Sequence, residues 1–374
     1  MGDVVDVVIV GAGIAGASLG YQLAADRRVV LLEREDWPGY HSTGRSAAML
    51  IASYGTDAVR ALTRASRPFF EHPPEGFAAG PLLSPRAHLT IARADQLERL
   101  AAVEAETRAA VPSLQHLDRD GVLRVAPLVA PDYAAAGLFE PDSMAIDDAA
   151  LHQGCLAGFQ RRGGRLLTDA EVLKVHPTAG GGWGVETRAG VVEADVLVNA
   201  AGAWADQLAE RAGVAPLGIQ PFRRTAVLID PPDGIDARSL PMIYDVAEQF
   251  YVKPEGAAFM VSPADQTPSE PTDAQPEELD VAIAVDRYET LTGTPVKKLG
   301  RRWAGLRSFS PDRELVLGFD PTAAGLFWLA GQGGFGIMTA PGAARLAAAL
   351  IGGDPPDDDL GGLVDRLSPT RFRR

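Results

Sequence analysis

Three glycines near the start of the chain have the spacing of a dinucleotide-binding turn. The sequence GAGIAG places Gly11, Gly13 and Gly16 in the pattern Gly-x-Gly-x-x-Gly. In such a turn the first glycine permits a tight bend, the second lets the backbone approach a pyrophosphate, and the third allows a helix to pack closely on a strand. Glu33 follows 17 residues after Gly16, where a carboxylate can accept hydrogen bonds from ribose hydroxyls. The pattern predicts dinucleotide binding, with a turn that serves packing alone as the alternative.

Two strands and a helix must position this turn. Residues 4–10 are β-branched and apolar apart from Asp6, which predicts a buried parallel strand. Residues 17–26 predict a helix, and residues 27–33 predict a second strand. The N–H groups and the dipole at the start of that helix would favour a phosphate. Glu33 would repel a 2′-phosphate, so the site disfavours NADP.

Two further segments run from an apolar strand into a turn of small residues. They are VLVNAAGAW, residues 196–204, and GLFWLAGQGGFGIMTAPGAARLAAAL, residues 325–350. The second segment would direct another helix N-terminus at a ligand. Such a terminus suits the pyrimidine edge of a flavin, where negative charge grows on reduction; a plain turn near the C-terminus is the alternative. The glycine motif by itself does not choose between FAD and NAD.

The composition restricts the classes of protein to which the chain can belong. The 374 residues are 46% hydrophobic and 22% charged, with a formal net charge of -14. This balance is typical of a globular protein with one large or two intertwined domains, and its acidity argues against nucleic acids and anionic membranes as partners. The sequence contains no run of about 18 apolar residues, so we predict no membrane-spanning helix. Because Cys155 is the one cysteine, we expect no disulfide and a reducing, cytoplasmic location; the six histidines show no metal-binding spacing.

The sequence resembles the FAD-dependent amino acid oxidoreductases that include D-amino acid oxidase, glycine oxidase and sarcosine oxidase. Within that family it is most similar to the D-arginine dehydrogenases. The likeness keeps its order over nearly the whole chain and is carried by GAGIAGAS, GYHSTGRSAA, YGT, FFEHPPEGF, PLLSPR, DAALHQG, VLVNAAGAWAD, FYVKP, WAGLRSF and GQGGFGI. It implies non-covalent FAD and hydride transfer from the α carbon of an amino acid, giving an imino acid that hydrolyses to a 2-oxo acid. It also implies an electron acceptor, which is a quinone, another carrier or O₂.

The resemblance implies an α/β fold in which two domains are interleaved. A Rossmann-type FAD-binding domain would comprise residues 1–50, 145–215 and 312–374. A substrate domain of the α+β class, built on an antiparallel sheet, would comprise residues 51–144 and 216–311. The acidic, proline-rich segment 263–280 is either a mobile lid or a solvated loop.

The resemblance also implies which residues contact the cofactor. The segment GYHSTGRSAA would wrap the flavin, and the backbone of Val172 would meet the adenine. Cys155, on a predicted helix, would be a buried apolar residue and not a point of covalent attachment. The residues predicted to bind FAD are Gly11, Gly13, Ile14, Ala15, Gly16, Glu33, Arg34, His41, Ser42, Thr43, Arg45, Ser46, Ala47, Ala48, Val172, Ala201, Gly202, Trp204, Gly305, Gly331, Gly333, Gly334, Phe335, Gly336 and Ile337.

A carboxylate clamp is the main feature that the resemblance implies for the substrate. Arg307 in WAGLRSF matches the carboxylate-binding arginine of the family, and a guanidinium offers a carboxylate two parallel charge-assisted hydrogen bonds. Arg224 matches a second pocket arginine, although the adjacent Arg223 could be mistaken for it. No side-chain acid or base is predicted, because the amine can enter deprotonated. The residues predicted to bind substrate are Arg307, Tyr251, Tyr54, Arg224, His88, Met49, Met242, Tyr244 and Gly334.

The predicted pocket differs from that of D-arginine dehydrogenases at the position of the substrate side chain. His88 stands where those proteins have a glutamate that meets the cationic group, and Met49 stands where they have a histidine. We therefore predict a D-amino acid with an uncharged or apolar side chain. His88 could also bond a polar group or an acid, or only pack within a strand. The alternative functions are oxidation of a secondary amine or a 2-hydroxy acid, and a flavoprotein without catalysis.

Overall fold

The computed structural model describes residues 3–372. Met1, Gly2, Arg373 and Arg374, which the predicted FAD-binding domain includes, lie outside the described residues. Within residues 3–372, twenty strands form three sheets, and nine α-helices pack around them.

The bounds of the elements follow, in chain order. The strands are β1 (Asp3–Val10), β2 (Val29–Leu32), β3 (Met49–Leu50), β4 (Leu83–Pro85), β5 (His88–Ala92), β6 (Gln115–Asp118), β7 (Ala136–Glu140), β8 (Met144–Ile146), β9 (Arg165–Leu167), β10 (Val172–Pro177), β11 (Trp183–Thr187), β12 (Gly190–Asn199), β13 (Gln220–Ile229), β14 (Met242–Asp245), β15 (Tyr251–Glu255), β16 (Ala258–Ser262), β17 (Thr267–Pro268), β18 (Leu299–Phe309), β19 (Val316–Phe319) and β20 (Leu326–Ala330). The helices are α1 (Ile14–Leu23), α2 (Asp57–Glu71), α3 (Leu97–Thr107), α4 (Arg119–Val125), α5 (Asp148–Arg161), α6 (Ala205–Arg211), α7 (Glu278–Thr292), α8 (Gly336–Gly352) and α9 (Val364–Leu367).

The first sheet has a parallel centre in the order β9-β2-β1-β12-β20. The antiparallel hairpin β10–β11 extends it beside β12, and β19 pairs antiparallel with β20. Val7, Val8 and Ile9 of β1 are at most 1% exposed. Their side chains alternate between the core that contains α1 and α8 and the core that contains α6. Burial on both faces explains the continuous apolar run from which the parallel strand was predicted.

The helix α2 departs from the predicted division of the chain. It lies in the segment 51–144, which was assigned to the substrate domain. Its side chains Val59 and Leu62 are fully buried, yet they belong to the core that α1, α5 and α8 share with the first sheet. The amphipathic pattern of α2 identifies a buried face but cannot say which sheet covers it, because that choice depends on long-range packing.

The second sheet has the strand order β17-β13-β16-β15-β14-β5-β7-β6, and β18 pairs along β13. Its pairs are antiparallel, as predicted, except that β5 and β14 run in parallel. The register places Phe222 opposite Arg307 and Arg224 opposite Gly305. A small third sheet in the order β3-β8-β4 lies in the connections between the two. No helix within residues 3–372 is long and apolar enough to cross a membrane.

Candidate active site

The glycine turn between β1 and α1 has no room for side chains. Gly11 has a φ of +104°, and a Cβ there would come within 2.3 Å of the Ala200 carbonyl oxygen at the end of β12. A Cβ on Gly16 would lie 1.9 Å from the Gly11 carbonyl oxygen. The turn therefore requires both glycines, one for its conformation and close approach and one for the packing of α1.

Side chains from distant parts of the sequence hold this turn in place. Thr43 Oγ1 accepts the N–H of Ile14, the first residue of α1, at 3.0 Å. The carboxylate of Glu33 accepts the N–H of Ala12 at 3.1 Å. His152, on α5, lies with Nε2 2.8 Å from the Ala12 carbonyl oxygen, and this residue was missed although it lies in the stretch DAALHQG. The turn is fixed by the tertiary structure before any ligand binds.

The carboxylate of Glu33 is buried and accepts hydrogen bonds from the backbone. One oxygen accepts from Ala12 and the other accepts the N–H of Glu35 at 3.1 Å. Burial raises the pKa of Glu33, and the hydrogen bonds from the backbone of Glu35 and Ala12 act in the opposite direction. Each carboxylate oxygen keeps a further lone pair, so the side chain can still accept a hydroxyl from a ligand in the adjacent cavity.

Two cavities meet between the sheets. We call them the large cavity, of about 320 Å³, which runs from the glycine turn to Gly334, and the small cavity, of about 50 Å³, which contains Tyr54 and His88. Both are lined by Arg307, Tyr251 and Gly334. Arg307 thus lies at the junction of the two cavities.

The residues predicted to bind FAD line the large cavity, with four exceptions. Gly16 packs α1 against the turn, and Ala48 lines the small cavity with a φ of 37°. Gly331 has a φ of +70° and faces the backbone of residues 310 and 314. Phe335 precedes α8 and packs its ring 5.1 Å from that of Tyr54.

The residues predicted to bind substrate line the small cavity, with the exception of Arg224, which lines the large one. Sequence reasoning missed other parts of the wall. Gln332 lies inside the stretch GQGGFGI, which was already identified, and Arg211 is a surface-type residue at the end of α6 with no local signal. The missed lining residues include Ala170, Glu171, Gln207, Arg211, Ser308, Gln332 and Met338.

Arg307 is held in a charged form that faces the cavities. Its guanidinium lies against the backbone of Gly334, where a Cβ would come within 2.8 Å of Nη1. Burial is the largest single influence and acts to lower the pKa of Arg307. Tyr54, Tyr251 and Tyr244 together outweigh it and raise the pKa, and Tyr54 contributes a side-chain hydrogen bond as well. A buried guanidinium surrounded by hydroxyl groups is suited to a carboxylate ligand.

Arg224 contributes a second positive charge at the same place. It is 8% exposed, its Nε donates to the Asp265 carbonyl oxygen at 2.8 Å, and its Nη1 has no hydrogen-bond partner within residues 3–372. Burial and the like charge of Arg307 lower the pKa of Arg224. The adjacent Arg223 does not line either cavity and instead forms an ion pair with Asp280 at 2.9 Å. An anion at this end of the cavity would relieve the repulsion between Arg224 and Arg307.

The segment 263–280 is anchored rather than loosely solvated. Its strand β17 pairs with β13. Asp273 forms an ion pair with Arg45 at 2.5 Å, and Arg45 also donates to the Ala274 carbonyl oxygen at 2.9 Å. Ala274 is 4% exposed. The segment therefore connects the second sheet to the loop that contains the predicted flavin-binding residues.

Cys155 has the environment expected of an apolar core residue. It is 2% exposed on α5, and burial raises the pKa of its thiol to about 12. It belongs to the core shared by α1 and α8 and does not line the large cavity. A thiol in this position is a poor nucleophile, which supports the prediction that Cys155 is not a point of covalent attachment.

A parallel sheet with a glycine turn, facing a second sheet that carries buried arginines, defines a two-domain class of dinucleotide-dependent oxidoreductase. The family model described as DAO, FAD dependent oxidoreductase, matches residues 6–350. The chain therefore belongs to this family, and FAD is its cofactor.

Individual relatives agree with this membership. Dimethylglycine dehydrogenase of Rattus norvegicus is 25% identical over 398 residues, which cover 99% of this chain and 45% of that protein. The chain thus spans less than half the length of that relative. Glycine oxidase of Pseudomonas putida is 25% identical over 380 residues, covering 94% of this chain and 95% of that protein. The crystal structure of glycine oxidase from Geobacillus kaustophilus superposes with a TM-score of 0.84 at 23% identity, covering 96% of this chain and 98% of that one. A particular tie to D-arginine dehydrogenases stays a prediction.

The described residues fit this cofactor. At Gly13 a Cβ would lie 3.2 Å from Thr43 Oγ1, so the bare backbone is what faces the large cavity. The start of α8 and the preceding Gly333 and Gly334 face the same cavity from the opposite side. Backbone N–H groups at both ends of the cavity would therefore be available to the two anionic parts of FAD, which are the pyrophosphate and the flavin edge on reduction.

Proposed function

We propose that the protein oxidises the amine of a small amino acid to an imine, which hydrolyses to a 2-oxo acid and ammonia. The observation that carries the proposal is the position of Arg307, a charged guanidinium at the junction of the large and the small cavity. FAD bound in the large cavity would supply an acceptor for the hydride of the substrate α carbon. The residues of this chain would bind and orient the substrate.

The clamp determines which atoms of the substrate reach the cofactor. Arg307 would bind the substrate carboxylate with two N–H groups, and the hydroxyls of Tyr54 and Tyr251, which line the small cavity beside it, would bind the same group. Fixing the carboxylate restricts the α carbon to one orientation, which is the main contribution that positioning makes to such a reaction.

Burial weakens the candidates for general base catalysis in the small cavity. Burial lowers the pKa of His88, and burial raises the pKa of Tyr244 well above its usual range. His88 is therefore a weaker base than an exposed histidine, and Tyr244 keeps its proton. This supports the proposal that the substrate amine enters in its neutral form and needs no side-chain base.

The wall of the small cavity supports an uncharged substrate side chain. Met49, Ile51 and Met242 are between 4% and 7% exposed and line it together with Tyr244. An apolar wall favours an uncharged group, because an unpaired charge is costly to bury. We propose a D-amino acid, on the resemblance described above.

Oxidation of a secondary amine is the second candidate. 4-Methylaminobutanoate oxidase of Paenarthrobacter nicotinovorans, whose name states a secondary amine, is 24% identical over 99% of this chain. Because Arg307 would clamp the carboxylate in either case, the proposed roles of the residues are the same. The electron acceptor and the cytoplasmic location stay predictions.

One experiment separates these functions. The purified, FAD-loaded protein is mixed anaerobically with D-amino acids, L-amino acids, N-methyl amino acids and 2-hydroxy acids, and the loss of flavin absorbance is recorded. The proposal expects bleaching by D-amino acids; bleaching by N-methyl substrates alone would favour the second candidate, and bleaching by none would contradict both. Timed reoxidation in air then separates an oxidase from a dehydrogenase.

A further inference from the structure

His88 occupies the part of the small cavity that the large cavity does not share, which we call the distal end. The side chain is 6% exposed, and its ring lies 6.0 Å from that of Tyr244. The apolar side chains of Met49, Ile51 and Met242 surround this end. A polar group within an otherwise apolar wall determines what a ligand can present there.

Glu140 lies behind His88. The two residues are directly opposite in the antiparallel pair β5–β7, so their side chains project from the same face of the sheet, with Cβ atoms about 5 Å apart. Glu140 is 2% exposed. Its Oε1 accepts the N–H of Ala52 at 2.8 Å, while its Oε2 is buried with no hydrogen-bond partner within residues 3–372.

The unpartnered oxygen indicates an incomplete site. A buried carboxylate oxygen without a hydrogen bond is costly, and such groups are uncommon in folded proteins. Accepting the N–H of Ala52 requires only one of the two carboxylate oxygens of Glu140. The group opposite Glu140 on the same face is the imidazole of His88, which could give its N–H to Oε2 when a ligand fixes the ring.

The charge state of the pair determines which ligand it would bind. Burial lowers the pKa of His88, and the charge of Glu140 acts in the opposite direction without reversing the shift. Neutral imidazole has one nitrogen that donates and one that accepts. If the N–H points to Glu140, the lone pair of the other nitrogen faces the distal end.

We propose that His88 and Glu140 form an acceptor site for a hydrogen-bond donor at the end of the substrate side chain. The inference rests on the proposed function and names its substrate class: amino acids whose short side chain ends in an amide or a hydroxyl group. The small volume of this cavity, about 50 Å³ against about 320 Å³ for the large one, restricts the side chain to a few atoms. An apolar side chain of the same shape would leave the imidazole and the carboxyl group unsatisfied, which is how a polar site rejects an isostere.

Three carboxylic acids of similar shape test the proposal without turnover, because they have no α-amine. Succinamate carries an amide with donor and acceptor, 4-oxopentanoate carries an acceptor only, and 4-methylpentanoate carries neither. Their affinities for the FAD-loaded protein are measured by titration calorimetry. We expect succinamate to bind at least about tenfold more tightly than either of the other two. His88→Leu should remove this preference, and Glu140→Gln should reduce it, whereas the exposed matched control His72→Leu should keep it.

Equal binding of succinamate and 4-methylpentanoate to the wild-type protein would overturn the proposal, as would a preference that persists in folded, FAD-loaded His88→Leu. If His88→Leu does not fold, the proposal is still tested by the order of the three affinities in the wild-type protein and by the change in that order in Glu140→Gln. A parallel anaerobic assay with D-asparagine and D-leucine keeps the two proposals apart. A succinamate preference without flavin reduction by any amino acid would contradict amine oxidation alone. Flavin reduction with equal affinities for the three acids would contradict the acceptor site alone.

Discussion

The guanidinium of Arg307 lies against the backbone of Gly334, so closely that a Cβ at position 334 would approach Nη1 to 2.8 Å. Arg307 belongs to β18 of the second sheet, and Gly334 lies two residues before the start of α8, which packs on the first sheet. The contact therefore fixes the proposed carboxylate clamp relative to the FAD site. It also requires that residue 334 have no side chain.

Gly334→Ala should displace the guanidinium of Arg307. We expect the Kd for a carboxylic acid ligand to rise at least about tenfold, because a displaced guanidinium loses bidentate geometry, while FAD remains bound. Titration of the FAD-loaded variant with 4-methylpentanoate measures this. Gly80→Ala is the control, since a Cβ at Gly80 meets nothing within 4 Å; unchanged affinity in Gly334→Ala would show that Arg307 does not hold the ligand.

Arg307→Lys should weaken carboxylate binding although the charge is kept. Lysine offers a point charge where arginine offers two parallel donors, and losing a charge-assisted hydrogen bond corresponds to about 10- to 100-fold in Kd. The same titration measures the effect, with the exposed Arg302→Lys as the matched control. Unchanged affinity in Arg307→Lys would indicate that the positive charge alone, and not the geometry of the clamp, governs binding.

Thr43→Val should weaken FAD binding by loosening the start of α1. The substitution keeps the shape of the side chain but removes the oxygen that accepts the Ile14 N–H at 3.0 Å. Losing a side-chain acceptor at a helix N-terminus costs about 1 kcal/mol, so we expect a free energy of unfolding lower by that amount and a higher Kd for FAD. Urea denaturation of the apoprotein and FAD titration measure these. The exposed Thr267→Val should change neither value.

Asp148→Asn should stabilise the protein at neutral pH. Burial raises the pKa of Asp148 to about 6, with Lys253 acting in the opposite direction. Because the pKa in the folded state is above that in the unfolded state, the stabilisation from protonated Asp148 is complete below about pH 4 and is lost as the pH rises through 6. The variant should therefore exceed the wild type in free energy of unfolding by about 1–3 kcal/mol at pH 7.5 and match it near pH 4. Urea denaturation at both pH values measures this, with the exposed Asp142→Asn as control; a difference independent of pH would contradict the assignment.

The rate of flavin reduction at saturating substrate should rise with pH and then level off. The reason is that the amine must be neutral, while His88 and Tyr244 stay neutral in the small cavity. Stopped-flow measurements with two substrates that differ only in amine basicity provide the test. The less basic amine should shift the rising limb to lower pH by the difference between the two amine pKa values. A midpoint that is the same for both substrates would instead indicate a protein group.

Much of the cofactor site could be predicted from the sequence because it depends on local constraints. The positive φ of one turn requires Gly11 and the packing of one helix on that turn requires Gly16, and these two constraints act over a few residues. The apolar runs of β1 and β2 follow from burial on both faces of a parallel sheet. The resemblance to a family extended these local patterns to Arg307 and the residues around it.

The parts that were missed depend on contacts between distant residues. Nothing in the local sequence shows that His152 meets Ala12 from 140 residues away, or that α2 packs on the first sheet. The pairing of β13 with β18 separates the two adjacent arginines, placing Arg224 in the cavity wall while Arg223 pairs with Asp280.

The sequence by itself determined the class of cofactor, the parallel strands and glycine turn that are predicted to bind it, and the type of side chain that can clamp a carboxylate. Only the tertiary structure decided that Arg307 rests on Gly334 and that Glu140 stands opposite His88. The physical reason is that conformation and burial leave a periodic pattern in neighbouring residues, whereas the register of strand pairing and the approach of two sheets are set by the packing of the whole chain.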